Sequence, residues 1–293
     1  MIPEALRQRL GEITRARRGA PGGPATGRSP EAGARVAGAR VAAAVGVEEF
    51  LAGGEWSCEH GAVFVHESLR SQIERRGALA GAGSAWGRLE SGVQLPGAGG
   101  IELADLSRAG LGRALFLDLE TCGLTSSPVF LAGTMHWNGE DFVLRQYFAR
   151  HYGEEAALIA ALAQATRGFE FLVTFNGKTF DVPFLSSRAL VNRVVLPLPP
   201  RHLDLLHPAR RRWRHQLPDC RLQTLELHVC RRRRSGDVPG EEVPGLYHDF
   251  VRHGDPWRLV PVFHHNLLDV ITMAEILRAL CASEPHFQRT IER

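Results

Sequence analysis

The order of periodic segments after Arg113 restricts the fold of this chain more than any other feature. Strand-like runs at 114–120, 129–137 and 142–148 follow one another directly, and "WNGED" between the last two carries a hairpin turn signal. Helical spacing then appears over about 154–167, with Gly168 placed to end it. A short apolar strand at 171–175, a helix over about 183–192 and a strand at "HLDLL" come next. Several helices fill the region after 207, the last over 266–281. Three consecutive strands followed by alternation predict an α/β fold, a mixed sheet flanked by helices.

The first of these strands contains "LFLDLETCGL", with two carboxylates on what should be one face. Side chains alternate along a strand, so Phe116, Asp118 and Glu120 point one way and Leu115, Leu117 and Leu119 the other. Like charges held together at low dielectric are unfavourable unless something positive lies between them. A strand end that simply meets water would also accommodate the pair. Its partners decide between the two readings.

Composition narrows the classes. The 293 residues, 44% hydrophobic and 23% charged, can bury a full core. No apolar run reaches membrane-spanning length and the amphipathic N-terminus does not read as a secretory signal, so a cytoplasmic location without membrane partners is the expectation. Five scattered cysteines form no disulfide framework. Cys220, His228 and Cys230 lack the paired spacing of structural zinc, which favours two ordinary thiols around a helix. Net charge is only +3, but arginine is clustered in "HPARRRWRH" and "CRRRRSG". Both runs suit phosphate oxygens, and Trp213 in the first is placed to stack on a base. A solvated helix face is the plain alternative.

Before position 107 the pattern is weak. Residues 15–45 are rich in Ala, Gly, Arg and Pro and read as flexible, and a second Gly-rich stretch, "GALAGAGSAWG", follows a short alternating run near 62–66 that suggests a hairpin. We divide the chain into a partly flexible region 1–106 with no assigned fold and a domain over 107–293.

Two further carboxylates stand at element junctions. Asp181 lies in "TFNGKTFDVPFL", where a strand ends, a glycine turn follows and a helix opens with Pro183 in its first turn. Asp269 lies in "FHHNLLDVITM", just after two histidines. Taken singly, each is an ordinary helix-start residue. Together, D-x-E, N-G-x-x-F-D-x-P-F and H-H-N-x-x-D occur in that order over about half the chain. This resembles the DEDD (DnaQ-like) 3′–5′ exonuclease group of the ribonuclease H-like superfamily, and most closely its YprB-type family, which also has stretches like "HLDLLHPARRRWRHQLPDCRLQTLE". The likeness covers roughly 113–282.

That resemblance implies a five-stranded mixed sheet and a hydrolase acting on nucleic acid, DNA or RNA, at a single strand or 3′ end. It implies that Asp118, Glu120, Asp181 and Asp269 hold two Mg²⁺ or Mn²⁺ ions. In-line attack on a phosphodiester independently asks for such a set, because hard cations want oxygen ligands. In the group a tyrosine four residues before the last aspartate, or a histidine five residues before it, helps deprotonate the attacking water, and here histidines fill both positions, His265 at four and His264 at five. Helical geometry puts His265 on the face of Asp269. The resemblance also points to Thr121 and Leu124 as contacts for a terminal nucleotide, while Asn176 and Lys178, the only lysine in the chain, are candidates in the loop before Asp181. Asp204 could orient a ligand or simply end its strand. A binding module with a vestigial metal site, or a structure-selective endonuclease, would carry the same motifs.

Overall fold

The computed structural model describes residues 46–73, 100–123, 127–234 and 236–281. The Gly-rich segments 15–45 and 77–87 and Leu124 lie outside these. Seven strands form one sheet in the order β1-β2-β5-β4-β3-β6-β7. They are β1 (Gly53–Cys58), β2 (Gly61–Leu69), β3 (Ala114–Thr121), β4 (Val129–Trp137), β5 (Phe142–Phe148), β6 (Phe171–Thr174) and β7 (Arg201–Asp204). β3 to β5 form an antiparallel meander, while β6 and β7 join the other edge of β3 in parallel. Short turns make the first arrangement, and the helical crossovers that parallel strands need make the second.

The expected five-stranded mixed sheet is therefore present and is larger by two strands. Both extra strands come from the residues before 107: β2 pairs with β5 in antiparallel register, Phe64 against Phe148 through Leu69 against Val143. A weak alternating run is hard to recognise as part of a distant sheet, because its partner strand lies far along the chain. The hairpin is also tied down beyond β2. Buried Arg70 pairs with Glu275, and the Ser71 N–H donates to Asp141 Oδ2 at 3.1 Å.

Seven helices with α-helical geometry are used below: α1 (Ile101–Ala109), α2 (Glu155–Ala165), α3 (Asp181–Val191), α4 (Leu206–Trp213), α5 (Leu222–His228), α6 (Val243–His253) and α7 (Val260–Cys281). One sheet face packs Leu117 and Leu172 against Leu158 and Leu162 of α2 and Leu185 of α3. The other packs Phe116, Met135, Phe171 and Val173 against Ile271, Ala274 and Leu277 of α7, with α1 and α4 beside it. Trp213 belongs to this second core and is 2% exposed, so it is not available to stack on a base. Arg210, Arg211 and Arg214 of the same run are exposed, because one turn of an amphipathic helix buries one side only, while Arg212 donates to the Leu280 carbonyl at 2.8 Å. Among the described residues, no helix is long and apolar enough to cross a membrane.

Candidate active site

The two carboxylates of β3 do share a face. Asp118 stands opposite Gly133 of β4, which stands opposite Gln146 of β5. The helix α7 crosses this row. Its Asn266, fully buried, donates from Nδ2 to Asp118 Oδ2 at 2.9 Å, and Gln146 Nε2 donates to Asn266 Oδ1 at 3.1 Å and to the Phe263 carbonyl at 2.9 Å. Gly133 makes the approach possible, since a Cβ there would sit 2.3 Å from Asn266 Oδ1. Side-chain amides thus seat α7 on the sheet at a fixed height above Asp118. Sequence periodicity did not single out Asn266 or Gln146 for this task, because each reads as a polar interruption of an apolar run.

Asp181 is the first residue of α3, with Phe180 as N-cap, and its carboxylate takes backbone hydrogen bonds at its own residue and at Leu119. The loop that carries it there is held by Asp204. One Asp204 oxygen accepts from the Asn176 N–H at 2.8 Å and the Leu206 N–H at 3.0 Å, and the other from the Lys178 N–H at 3.1 Å. Asp204 is therefore the anchor of the loop and of the start of α4, which is the reason an aspartate ends this strand. Asn176 takes a left-handed φ of 65° to make the turn. Lys178 Nζ lies 3.4 Å from Glu102 of α1, a residue outside the recognised motifs. Thr121 Oγ1 donates to the Gly123 carbonyl at 2.8 Å and so braces the turn after β3.

The long helix settles how the two histidines face. It begins at Val260, not near Asn266, so both lie within it. His265 Nε2 is 3.4 Å from Asp269 Oδ2, one turn away, as side chains four residues apart should be. His264 points elsewhere, into a cavity of about 360 Å³ lined by Phe50, His66, Gln72 and Phe263. Burial lowers its pKa.

Two residues that the motifs did not indicate complete the site. Asp237 Oδ1 accepts from His265 Nδ1 at 2.8 Å. Arg234 donates to Asp237 Oδ2 at 3.1 Å and also pairs with Asp269 and with the buried Glu226 of α5. The arginine run 231–234 is thus divided: Arg231 and Arg233 are exposed, Arg232 lies 3.8 Å from Glu226, and Arg234 is inside the site. The run therefore does not present one solvent-facing surface, contrary to its appearance in the sequence. Asp237 and Arg234 sit in an aperiodic loop, and only the tertiary fold brings that loop to α7.

Charge is the defining property here. Burial, then the charges of Asp269, Glu120 and Asp181, push Asp118 well above the usual carboxylate range. Burial likewise raises Glu120 to about 8, against the opposing pull of His265, and Asp181 to about 7. Burial alone would lower the His265 imidazole, yet its hydrogen bond to Asp237 and the nearby Asp269 and Glu120 outweigh this and raise it to about 9. The arrangement therefore favours uptake of positive charge. An all-oxygen set of four carboxylates fits a hard divalent cation in donor chemistry. It is not a tight cage as it stands: among the described residues, no group of three or more His, Cys, Asp or Glu side chains is grouped to hold a metal ion. Asp269 is drawn toward Arg234 and Asp118 toward Asn266.

Comparison with known proteins agrees with this geometry at the level of the family. A family model described as RNase_H superfamily matches residues 115–281, which contain every residue of the carboxylate set. The chain belongs to the RNase H superfamily. Members of this superfamily are generally hydrolytic nucleases that use divalent metal ions and act on nucleic acid. The Bacillus subtilis (strain 168) protein described as uncharacterized protein YprB is 35% identical over 166 residues, which are 55% of this chain and 40% of that protein. The chain therefore matches about two fifths of the length of this relative. A family B DNA polymerase from the hyperthermophilic archaeon Pyrobaculum calidifontis is similar over 58% of this chain and 27% of its own, with 17% identity and a TM-score of 0.45.

Proposed function

We propose that this RNase H superfamily member is a metal-dependent 3′–5′ exonuclease of the DEDD type, releasing nucleotides from a single strand or 3′ end of DNA or RNA. The observation that carries the reading is the gathering of Asp118, Glu120, Asp181 and Asp269 from β3, α3 and α7 around one another, with His265 on the same face. A protein without use for a cation there would gain stability by losing these like charges. In this reading the four carboxylates hold two Mg²⁺ or Mn²⁺ ions. Bound cations would offset the carboxylate charge, stabilise the attacking and leaving oxygens of the phosphodiester, and lower the pKa of His265.

His265 then takes the proton from the attacking water through Nε2, the ring nitrogen that faces Asp269. Asn266 and Gln146 keep α7, and with it His265 and Asp269, at a constant distance from Asp118. The braced turn after β3 carries Thr121, and the loop anchored by Asp204 carries Asn176 and Lys178; we assign these, with Leu124, to contacts with the terminal nucleotide.

The test is the purified chain with Mn²⁺ or Mg²⁺ on single strands labelled at the 5′ end or internally. A ladder that shortens from the 3′ end is expected. Discrete internal cuts would replace the exonuclease reading with an endonuclease one, and intact substrate would leave a binding module.

A further inference from the structure

Asp237 accepts two hydrogen bonds on two different oxygens, and the choice of donors is informative. Oδ1 receives His265 Nδ1 at 2.8 Å and Oδ2 receives Arg234 Nη1 at 3.1 Å. Because a carboxylate only accepts, a neutral His265 must carry its proton on Nδ1, which leaves the Nε2 lone pair facing the carboxylate pocket. Arg234 in turn cannot drift. Its guanidinium is held by Glu226 on one side and Asp269 on the other, and its side chain is 8% exposed. The second oxygen of Asp237 is therefore fixed by an arginine that is itself fixed from α5 and α7. The result is a chain of contacts running from Glu226 to the imidazole ring.

Resting on the nuclease reading above, we propose that Asp237 is the positioning residue for His265, holding the ring in the tautomer and orientation in which Nε2 can accept a proton, with Arg234 holding Asp237. The geometry explains why an aspartate is needed and an asparagine would not serve. An amide has one acceptor oxygen and one donor nitrogen, so it cannot satisfy both Arg234 and a protonated Nδ1. Arg234 never gives up its proton, so the amide oxygen turns to Arg234 and the amide nitrogen faces the ring. The ring must then carry its proton on Nε2, the wrong nitrogen for a base.

The experiment is Asp237→Asn in the full chain, read in two independent ways. The first is the ¹⁵N spectrum of histidine-labelled protein in alkaline buffer with Mg²⁺, with His265 assigned by its loss in His265→Gln. Wild type should show the Nδ1-protonated tautomer and Asp237→Asn the Nε2-protonated one. The second is steady-state kinetics. A fall in kcat of roughly 10²-fold, with KM, Mn²⁺ affinity and Tm nearly unchanged, is the pattern of a misplaced base. An unchanged tautomer with kcat near wild type overturns the proposal, as does a loss of Mn²⁺ binding with the tautomer unchanged, which would mean that Asp237 acts on the carboxylates. If the nuclease reading itself fails, so that wild type has no activity, the tautomer comparison still decides whether Asp237 sets the ring.

Discussion

Two sets of carboxylates in this molecule, one fully buried and one mostly half-buried, are treated in opposite ways. Glu155, at the start of α2, is 3% exposed, and its oxygens accept from the Val129 N–H at 2.8 Å, Arg188 Nε at 2.7 Å and Asn192 Nδ2 at 2.9 Å. Every donor it needs comes from the protein, and the cluster locks α2, α3 and β4 together. Asp118 and Glu120 on β3 instead face Asp181 and Asp269, and burial and the neighbouring acids push both above the carboxylate range. A carboxylate supplied with its own cation holds structure, whereas carboxylates supplied with one another are arranged for a charge from elsewhere. Arg234 stands between these cases, since it reaches Asp269 but not the other three acids of the set.

That contrast makes its largest prediction for activity. Asp118→Ala or Asp181→Asn should reduce divalent-dependent cleavage to background while Tm holds or rises, because each removes a carboxyl whose raised pKa costs stability at neutral pH. Retained cleavage in either variant would break the distinction at once. Next in size is the histidine pair. His265→Ala should lower the rate by about 10²- to 10⁴-fold, the usual range for loss of a general base. His264→Ala, whose ring lies in the neighbouring cavity, should cost far less; the reverse ranking in single-turnover assays would reject His265.

Glu155→Ala should behave in the opposite manner to the Asp118 change. Removing one partner of a buried pair takes away the carboxylate that meets Arg188 Nε and Nη2, at a cost of about 3–5 kcal/mol. A thermal melt should show Tm falling by roughly 10 °C or more, with cleavage at low temperature largely kept. A near-neutral melt would mean that the two clusters do not differ as their hydrogen bonds suggest. The smallest effect is on metal affinity. At neutral pH in the metal-free protein, Glu120 at about 8 is mostly protonated and Asp181 at about 7 about half protonated, so a cation must displace those protons. Mn²⁺ affinity should therefore rise from pH 6 to pH 8, by up to about tenfold per pH unit for each proton displaced. Calorimetry in buffers of different ionisation enthalpy would detect that proton release, and a flat profile would show that the carboxylates are not raised.

Much of the fold was legible because it follows from local period. The strands at Val129–Trp137 and Phe142–Phe148 are short strand-like runs with a turn signal between them, and α2 has its own apolar spacing. The hairpin β1-β2 was only half visible, because a strand that completes a distant sheet has little in its own sequence to say so. The same division applies to α7, whose start at Val260 lies upstream of the recognised motif and decides the direction of both histidines.

By itself, the sequence determined which side chains of β3 share a face and that Asp181 opens a helix, since backbone geometry alone dictates both. It also placed Asp269 one turn from His265. Only the tertiary structure decided what surrounds them. Gly133 and Asn266 meet through a sheet–helix contact, Asp204 anchors a loop from a neighbouring strand, and Arg234 and Asp237 arrive on a loop with no period. The physical reason is range. Periodicity records what a residue does with its own helix or strand, whereas hydrogen bonds and ion pairs between elements depend on where the whole chain has folded.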